Sequence, residues 1–490
     1  MISIGKAKTE KIALLLIIVF VLVFTALSFG RHDALKSYLN DLGTYDQALW
    51  STVHGNFFHL TSSMVNIDNY LGAHFSPILM IFLPFYFIFA SPKWLLFFQS
   101  LAVGGSAIPI YLFAKEKFKS GKLGLLMLAG YLLYPALGNG LLYDFHEIVL
   151  AVFFAAWALY FLENENDRWF IFFAALLALS QEHLPLLVFM MGLYLIFIKK
   201  RKKFGIIVSG VSLLYFFLVM TVLIPYFSST GKPALIYSES MYPSRYAWLG
   251  SSFSEIAKNI ILHPLTIFKV IFSYERLKYI FILVAPVFSL ALFSWPFWII
   301  LPVLFIGILS SNPMTFSVSF YHSAIFAPFV FFASIYTYKK WFLEDKFLRW
   351  MFAILVFAFS LGSSILYGVF PLSPNYKISD YLPSAHAKKI GEVKKMIPAD
   401  ASLSIQHNLG PHFSERQFIY RFPLKKDEAE YVLLDTFDPF ADNPKQIFGF
   451  EYALQMDTLE WQENIEELKR SDKYDLIFDE DGYLLFRKNL

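Results

Sequence analysis

DLGTYDQALWSTVHGNFF, residues 41–58, follows the first hydrophobic segment directly. It carries two carboxylates, Asp41 and Asp46, in a chain that otherwise keeps charge away from its apolar segments. Leu42, Tyr45, Leu49, Val53 and Phe57 recur at helical spacing, which predicts an amphipathic helix lying along a membrane face. Asp41 stands where an N-cap would stand, and Gly55-Asn56 is a stop signal. Taken alone these residues read structurally, with Asp41 a cap and Asp46 a solvated charge. The placement of the other charges gives them a second reading.

Of the 490 residues, 57% are hydrophobic and 16% charged, and 56 are Phe. Soluble domains carry about 25% charged residues, so this is the composition of a membrane protein. The basic residues form short clusters beside apolar runs, so a net charge of +3 reads as membrane anchoring, with no nucleic-acid partner. The absence of cysteine excludes disulfides, thiolate catalysis and cysteine-ligated metal sites. Lys6, Lys8 and Lys11 precede an apolar run from Ile12 to Phe29. That run is long for a signal-peptide core and lacks a small-residue cleavage site, which predicts a retained signal anchor with a cytoplasmic N-terminus.

The fold class expected is a mostly α polytopic membrane protein with a small C-terminal α/β domain. Spans are expected at about 12–29, 93–114, 123–142, 148–162, 169–180, 184–198, 204–224, 278–294, 296–310, 323–338 and 349–370, eleven in all. The run 76–91 is short and broken by Pro84, and is expected to dip into the membrane without crossing. Lys115, Lys117, Lys119 and Lys122, and the run Lys199–Lys203, mark cytoplasmic ends. Residues 30–75 then form a first outer loop, and 225–276 a second with an amphipathic piece near 254–273. After Pro371-Leu372-Ser373-Pro374 the composition changes to ordinary charge and short alternating patterns. The chain therefore divides into a transmembrane domain, 1–373, and an extracytoplasmic soluble α/β domain, 374–490. Helices are expected there at 384–397 and 458–470, and strands at 401–406, 430–435, 474–479 and 483–488.

An ionisable residue at membrane depth is costly and marks a functional position. This topology puts Asp41, Asp46, His54, His59 and His74 in the first outer loop. Asp144, His146 and Glu147 fall at an outer helix end, Glu182 and His183 at an outer turn, and His322 at the outer start of a span. Their inner counterparts are Lys and Arg anchors. The pattern points to an outer-leaflet cavity lined by carboxylates and imidazoles. His54 and His59 flank Gly55 and Asn56 and read as solvated. His146, Glu147, Glu182 and His183 have ligand types that suit a divalent metal, although no HExxH spacing occurs. No Walker loop, GxGxxG or GxSxG is present, which argues against nucleotide hydrolysis and serine-hydrolase chemistry. An outward-facing enzyme needs a donor already activated in the membrane, such as a polyprenyl-phosphate sugar. One carboxylate then serves as general base, and a cation offsets the charge of the departing phosphate. Arg245 is a candidate for that cation, with Arg31, Lys36 and Arg276 as others.

DLGTYDQALWSTVHGNFF, HFSPILMIFLPFY, YPALGNGLLYDFHEIVLAVFFAAWALY, SQEHLPLLVFMMGLYL and FYHSAIFAPFVFFASI together resemble the prokaryotic membrane family of domain of unknown function 2079. The similarity continues through IPADASLSIQHNLGPHFSERQFIYRFP, EYVLLD and GYLLFRK. The layout is also similar to the GT-C superfamily of lipid-linked-sugar glycosyltransferases, which carry an acidic residue just after the first helix. Carried over by position, that residue falls on Asp41, with Asp46 as the alternative. No DxD or Asp-Glu pair occurs in this loop.

The resemblance implies a glycosyltransferase of GT-C type that moves a sugar from a polyprenyl-phosphate donor to an acceptor on the outer face of the cell membrane. Two other readings stay open: a transporter or flippase of lipid-linked or polymeric material, and a noncatalytic scaffold. Transporters place ionisable groups near the midplane and often contain repeats; here the charges gather at one face and no repeat is found. The expected topology is tested by labelling, since the chain offers no background thiol. A cysteine introduced at position 120 should resist an impermeant reagent from outside, and its labelling would overturn the topology.

Overall fold

The computed structural model describes residues 2–62, 67–229, 231, 245–342, 345–369, 371–438, 454 and 456–489. Four helices are long and apolar enough to cross a membrane: Lys8–Asp33, Lys93–Phe118, Lys202–Phe227 and Lys346–Tyr367. Two further pairs, Gly121–Leu132 with Pro135–Tyr143 and Pro313–Ser323 with Phe326–Phe342, pass the same test together but bend by 44° and 79°. Length and composition thus give four to six spans among the described residues, which corrects the eleven read from the sequence.

The difference has local causes. Pro135 supplies no backbone N–H and forces Tyr134 out of the helical region, to ψ 121°, which breaks the expected 123–142 span. Pro286, Pro296 and Pro302 likewise divide residues 278–310 into short pieces, Tyr274–Val284, Ala285–Val287, Trp295–Trp298 and Leu301–Leu309. Asp167–Ala178 and Pro185–Phe197 are only 12 and 13 residues long, below the about 20 that a bilayer needs. Residues 76–91 hold a short 3-10 turn, Pro77–Phe82, and one helical piece, Leu83–Ile88. Close crossings hold the bundle together. A Cβ added to Gly104 would lie 2.4 Å from Val21 Cγ2, so the first helix crosses Lys93–Phe118 at that point.

The C-terminal region contains five strands: β1 (Leu403–Ile405), β2 (Ile419–Arg421), β3 (Tyr431–Asp435), β4 (Tyr474–Glu480) and β5 (Tyr483–Lys488). Their order is β2-β1-β3-β5-β4, with β1 parallel to β2 and β3, and β5 antiparallel to β3 and β4. Alternation along β3 explains the layering. Leu433 packs with Ile390 and Val393 of the helix Ala385–Met396, while Val432 and Leu434 pack with Trp461 and Ile465 of the helix Thr458–Arg470. The expected helices and four strands are present. β2 was not legible because it is three residues, Ile-Tyr-Arg, with no run to carry a period.

The segment after the first helix lies between this sheet and the bundle. Leu39 N–H donates to His407 O (2.9 Å) at the carboxyl end of β1, and Asn408 Nδ2 donates to Leu35 O (3.2 Å). Lys36 pairs with Asp380, both buried. Thr44–Val53 is a helix, but not an interfacial one with a wet face. Tyr45, Ala48 and Leu49 pack into the bundle core. Its polar face meets the C-terminal region instead of water: Ser414 Oγ donates to Asp46 (2.6 Å), and Gln47 Nε2 donates to Arg416 O (3.1 Å). This corrects the reading of Asp46 as a solvated charge. The contact is tight at Gly410, where an added Cβ would lie 2.5 Å from Leu39 Cβ. Gly410→Val should therefore cost about 1–3 kcal/mol by overpacking and open the 403–421 segment to protease in detergent micelles. Unchanged melting and cleavage would show that the contact is not what holds the two regions together.

Candidate functional site

The helix Pro135–Tyr143 ends in an extended stretch, Asp144-Phe145-His146, before the next helix starts at Glu147. Extended backbone sends neighbouring side chains in different directions. Gln99, fully buried in Lys93–Phe118, fixes this stretch from behind: its Nε2 donates to Asp144 O (3.0 Å) and its Oε1 accepts from His146 N–H (2.8 Å).

Asp144 turns to the first loop and accepts from Tyr38 N–H (2.9 Å). Burial pushes its carboxyl well above the ordinary range, against the opposing charge of Arg31. Glu147 is buried and accepts from three hydroxyls: Tyr45, Tyr70 (3.1 Å) and Ser76 (3.1 Å). These two carboxyls hold loops. His146, two residues on from Asp144, meets the same loop. Its Nε2 lies 3.3 Å from Asp41 Oδ1, and its ring stacks on Tyr321 with centroids 3.4 Å apart. Asp41 sits in a π-helical turn, Leu39–Gly43, rather than at an N-cap. Its side chain stays 17% exposed, while that of His146 is 6% exposed, so the imidazole anchors a carboxylate that remains accessible.

Around this pair lie the other candidates. His322 stacks on Tyr321 with centroids 4.0 Å apart, and the Arg245 charge lies beside Tyr321. Arg245, His146, His183 and His74 all lie within electrostatic reach of His322. Glu182 Oε1 lies 3.1 Å from His74 Nδ1. Burial alone would raise the Glu182 carboxyl, but His74 and His183 outweigh it and hold it below its ordinary value. Burial lowers His183. The structure thus brings Asp41, His146, Glu182, His183, Arg245 and His322 into one cluster, with Asp144 and Glu147 behind it. It does not bring in Asp46, which is fully buried on the far side of its helix and accepts from Tyr86 (2.7 Å) as well as Ser414. Two other candidate cations are engaged elsewhere, Lys36 with Asp380 and Arg276 with Ile308 O and Ser310 O, while Arg31 lies over the Tyr38 ring and faces Asp144 behind the cluster.

Two members do not stand out in the sequence. Tyr321 is one aromatic among many, and His74 is one of several loop imidazoles. No spacing could have joined His74 to Glu182 across 108 positions. Among the described residues no three His, Asp or Glu side chains converge as metal ligands. His146, Glu147 and Glu182 turn to separate partners.

Comparison with known proteins places the chain. The family described as a predicted membrane protein, DUF2079, matches residues 31–485. The chain belongs to that family. No curated protein sequence matches it. Among solved structures it is similar to ArnT from Cupriavidus metallidurans, in a crystal structure bound to undecaprenyl phosphate. The TM-score is 0.53 at 11% identity, over 96% of this chain and 97% of that one. This DUF2079 protein therefore has an ArnT-like fold.

Burial, with Glu415 adding to it, pushes the Asp46 carboxyl up to about 7 from an unfolded value of 3.8. A proton held more tightly in the folded state stabilises it below the unfolded value, and that stability is lost as pH rises through about 7. Asp46→Asn cannot ionise. The melting temperature of the wild type minus that of the variant should therefore fall between pH 4 and pH 8, as followed by fluorimetry in detergent. A difference independent of pH would show that Asp46 does not titrate there.

Proposed function

We propose that this protein is a membrane glycosyltransferase of GT-C type that takes its sugar from a polyprenyl-phosphate-linked donor. The observation that carries the reading is the accessible Asp41 carboxylate, held 3.3 Å from the buried His146 imidazole directly after the first long apolar helix. An ArnT-like fold supports it, since the ArnT structure holds undecaprenyl phosphate.

In this reading an acceptor hydroxyl approaches Asp41. Its oxygen bonds to the anomeric carbon as the bond from that carbon to the phosphate oxygen breaks. The polyprenyl phosphate departs with the electron pair, and the hydroxyl proton passes to Asp41. His146 keeps the carboxylate aimed. Arg245, fixed at its backbone by Ser311 N–H (2.8 Å), offsets the charge that develops on the phosphate. The cluster and the C-terminal α/β region, 374–490, then lie on the outer face, where a donor flipped across the membrane would be reached.

Asp41 is chosen over Asp46 because Asp46 is enclosed and spends both oxygens on hydroxyls. Asp41→Asn should fold and lose about 10²–10⁴-fold in rate, the usual worth of a general base. Asp46→Asn should lose stability by about 1–3 kcal/mol and keep its turnover. The measurement is sugar transfer from labelled polyprenyl-phosphate sugars in membranes. Full activity of Asp41→Asn would remove the base from this residue. Absence of transfer by the wild type, with lipid phosphate still bound, would favour the flippase reading.

A further inference from the structure

The two carboxylate–imidazole pairs of the cluster are built in opposite senses. In Asp41–His146 the imidazole is buried and the carboxylate is presented. In Glu182–His74 the carboxylate is buried, 1% exposed, and the imidazole is presented, 34% exposed. Glu182 uses Oε1 on His74 Nδ1, while its Oε2 is buried without a hydrogen-bond partner among the described residues. A buried carboxylate aimed at one ring nitrogen fixes the ring, accepts the hydrogen carried on that nitrogen and makes the other more basic. His74 is also held in place by its backbone, whose N–H donates to Tyr70 O (2.9 Å), and its ring lies beside that of Tyr70, with centroids 6.2 Å apart. A third of its side chain reaches solvent.

We propose that His74, oriented by Glu182 and close to Arg245, is an anion-binding residue that takes the phosphate group of the ligand in this cluster. The charged and titratable groups that face it are Glu182 and His183 from one turn, Glu147, Arg245, His322 and Tyr70. Burial works against its protonation, but Glu182, supported by Glu147, prevails and raises it above the ordinary imidazole value; Arg245 opposes. The imidazolium and the Arg245 guanidinium then repel each other until an anion lies between them. A phosphate monoester or diester supplies that charge, with acceptor oxygens for both. The identity of the phosphate as a lipid headgroup rests on the glycosyltransferase reading; the anion site itself does not.

The test is binding to the purified full-length protein in detergent, read by thermophoresis, with undecaprenyl phosphate, undecaprenol and inorganic phosphate as separate probes. The wild type should bind undecaprenyl phosphate and lose affinity as pH rises above the ordinary imidazole value, where the raised His74 discharges. Undecaprenol should show no such dependence. His74→Asn should bind undecaprenyl phosphate about ten- to a hundredfold more weakly, as for a lost charge-assisted hydrogen bond, and without the pH dependence. His74→Lys, a fixed cation, should restore affinity and leave it flat with pH. Glu182→Gln should move the loss of affinity to lower pH. Melting curves establish that each variant is folded. Lipid-phosphate binding by His74→Asn that matches the wild type at every pH would overturn the proposal and leave the glycosyltransferase reading standing. Binding of inorganic phosphate that depends on His74, with no binding of the lipid, would keep the anion site and end the lipid-donor reading. Binding of neither probe would end both.

Discussion

Two consecutive backbone amides carry the arrangement. Tyr38 is extended, at φ −122° and ψ 143°, so its own N–H and that of Leu39 point to opposite sides. The first donates to Asp144 in the bundle and the second to His407 at the end of β1. Buried amides must find partners, and here the partners belong to regions far apart in sequence. The turn that follows, Leu39–Gly43, can therefore occupy one place only, and Asp41 goes with it. The sheet thus forms one wall of the seat in which the accessible carboxylate is held.

The buried ionisable groups divide by the chemistry of their neighbours. Glu147 is surrounded by hydroxyl donors and Asp46 by two more. A carboxyl so placed is satisfied locally and has no need of a cation, which suits a joint between elements. Asp41, Glu182, His74 and His146 are paired with one another instead, carboxylate against imidazole. Such pairs exchange charge with a ligand more readily than hydroxyl cages do, because each member has a partner able to take up or release a proton.

The sequence was most legible where pattern is long. The alternation in residues 430–435 and 483–488, and the helical periods at 384–397 and 458–470, are present as read. The helix ends that the sequence assigns to one face hold residues that the fold brings together, because charge excluded from lipid has few other places to go. Hydropathy misled where prolines break apolar runs into pieces too short to cross, since the pieces are as apolar as true spans. Periodicity in 41–58 found the helix but not its surroundings: a polar face looks the same in sequence whether it meets water or the backbone of another region, as Gln47 meets Arg416. The pairing of His74 with Glu182 left no local trace at all.

Gln99 imposes a different kind of limit. Its amide must give a hydrogen to the Asp144 carbonyl and receive one from the His146 amide, in the middle of an apolar helix. Glutamate has the same outline and the wrong polarity, with an oxygen facing an oxygen. At this position similarity of shape is a poor guide to tolerance: an isostere reverses one end of the clamp, and the peptide between Asp144 and His146 loses the template that sets its direction.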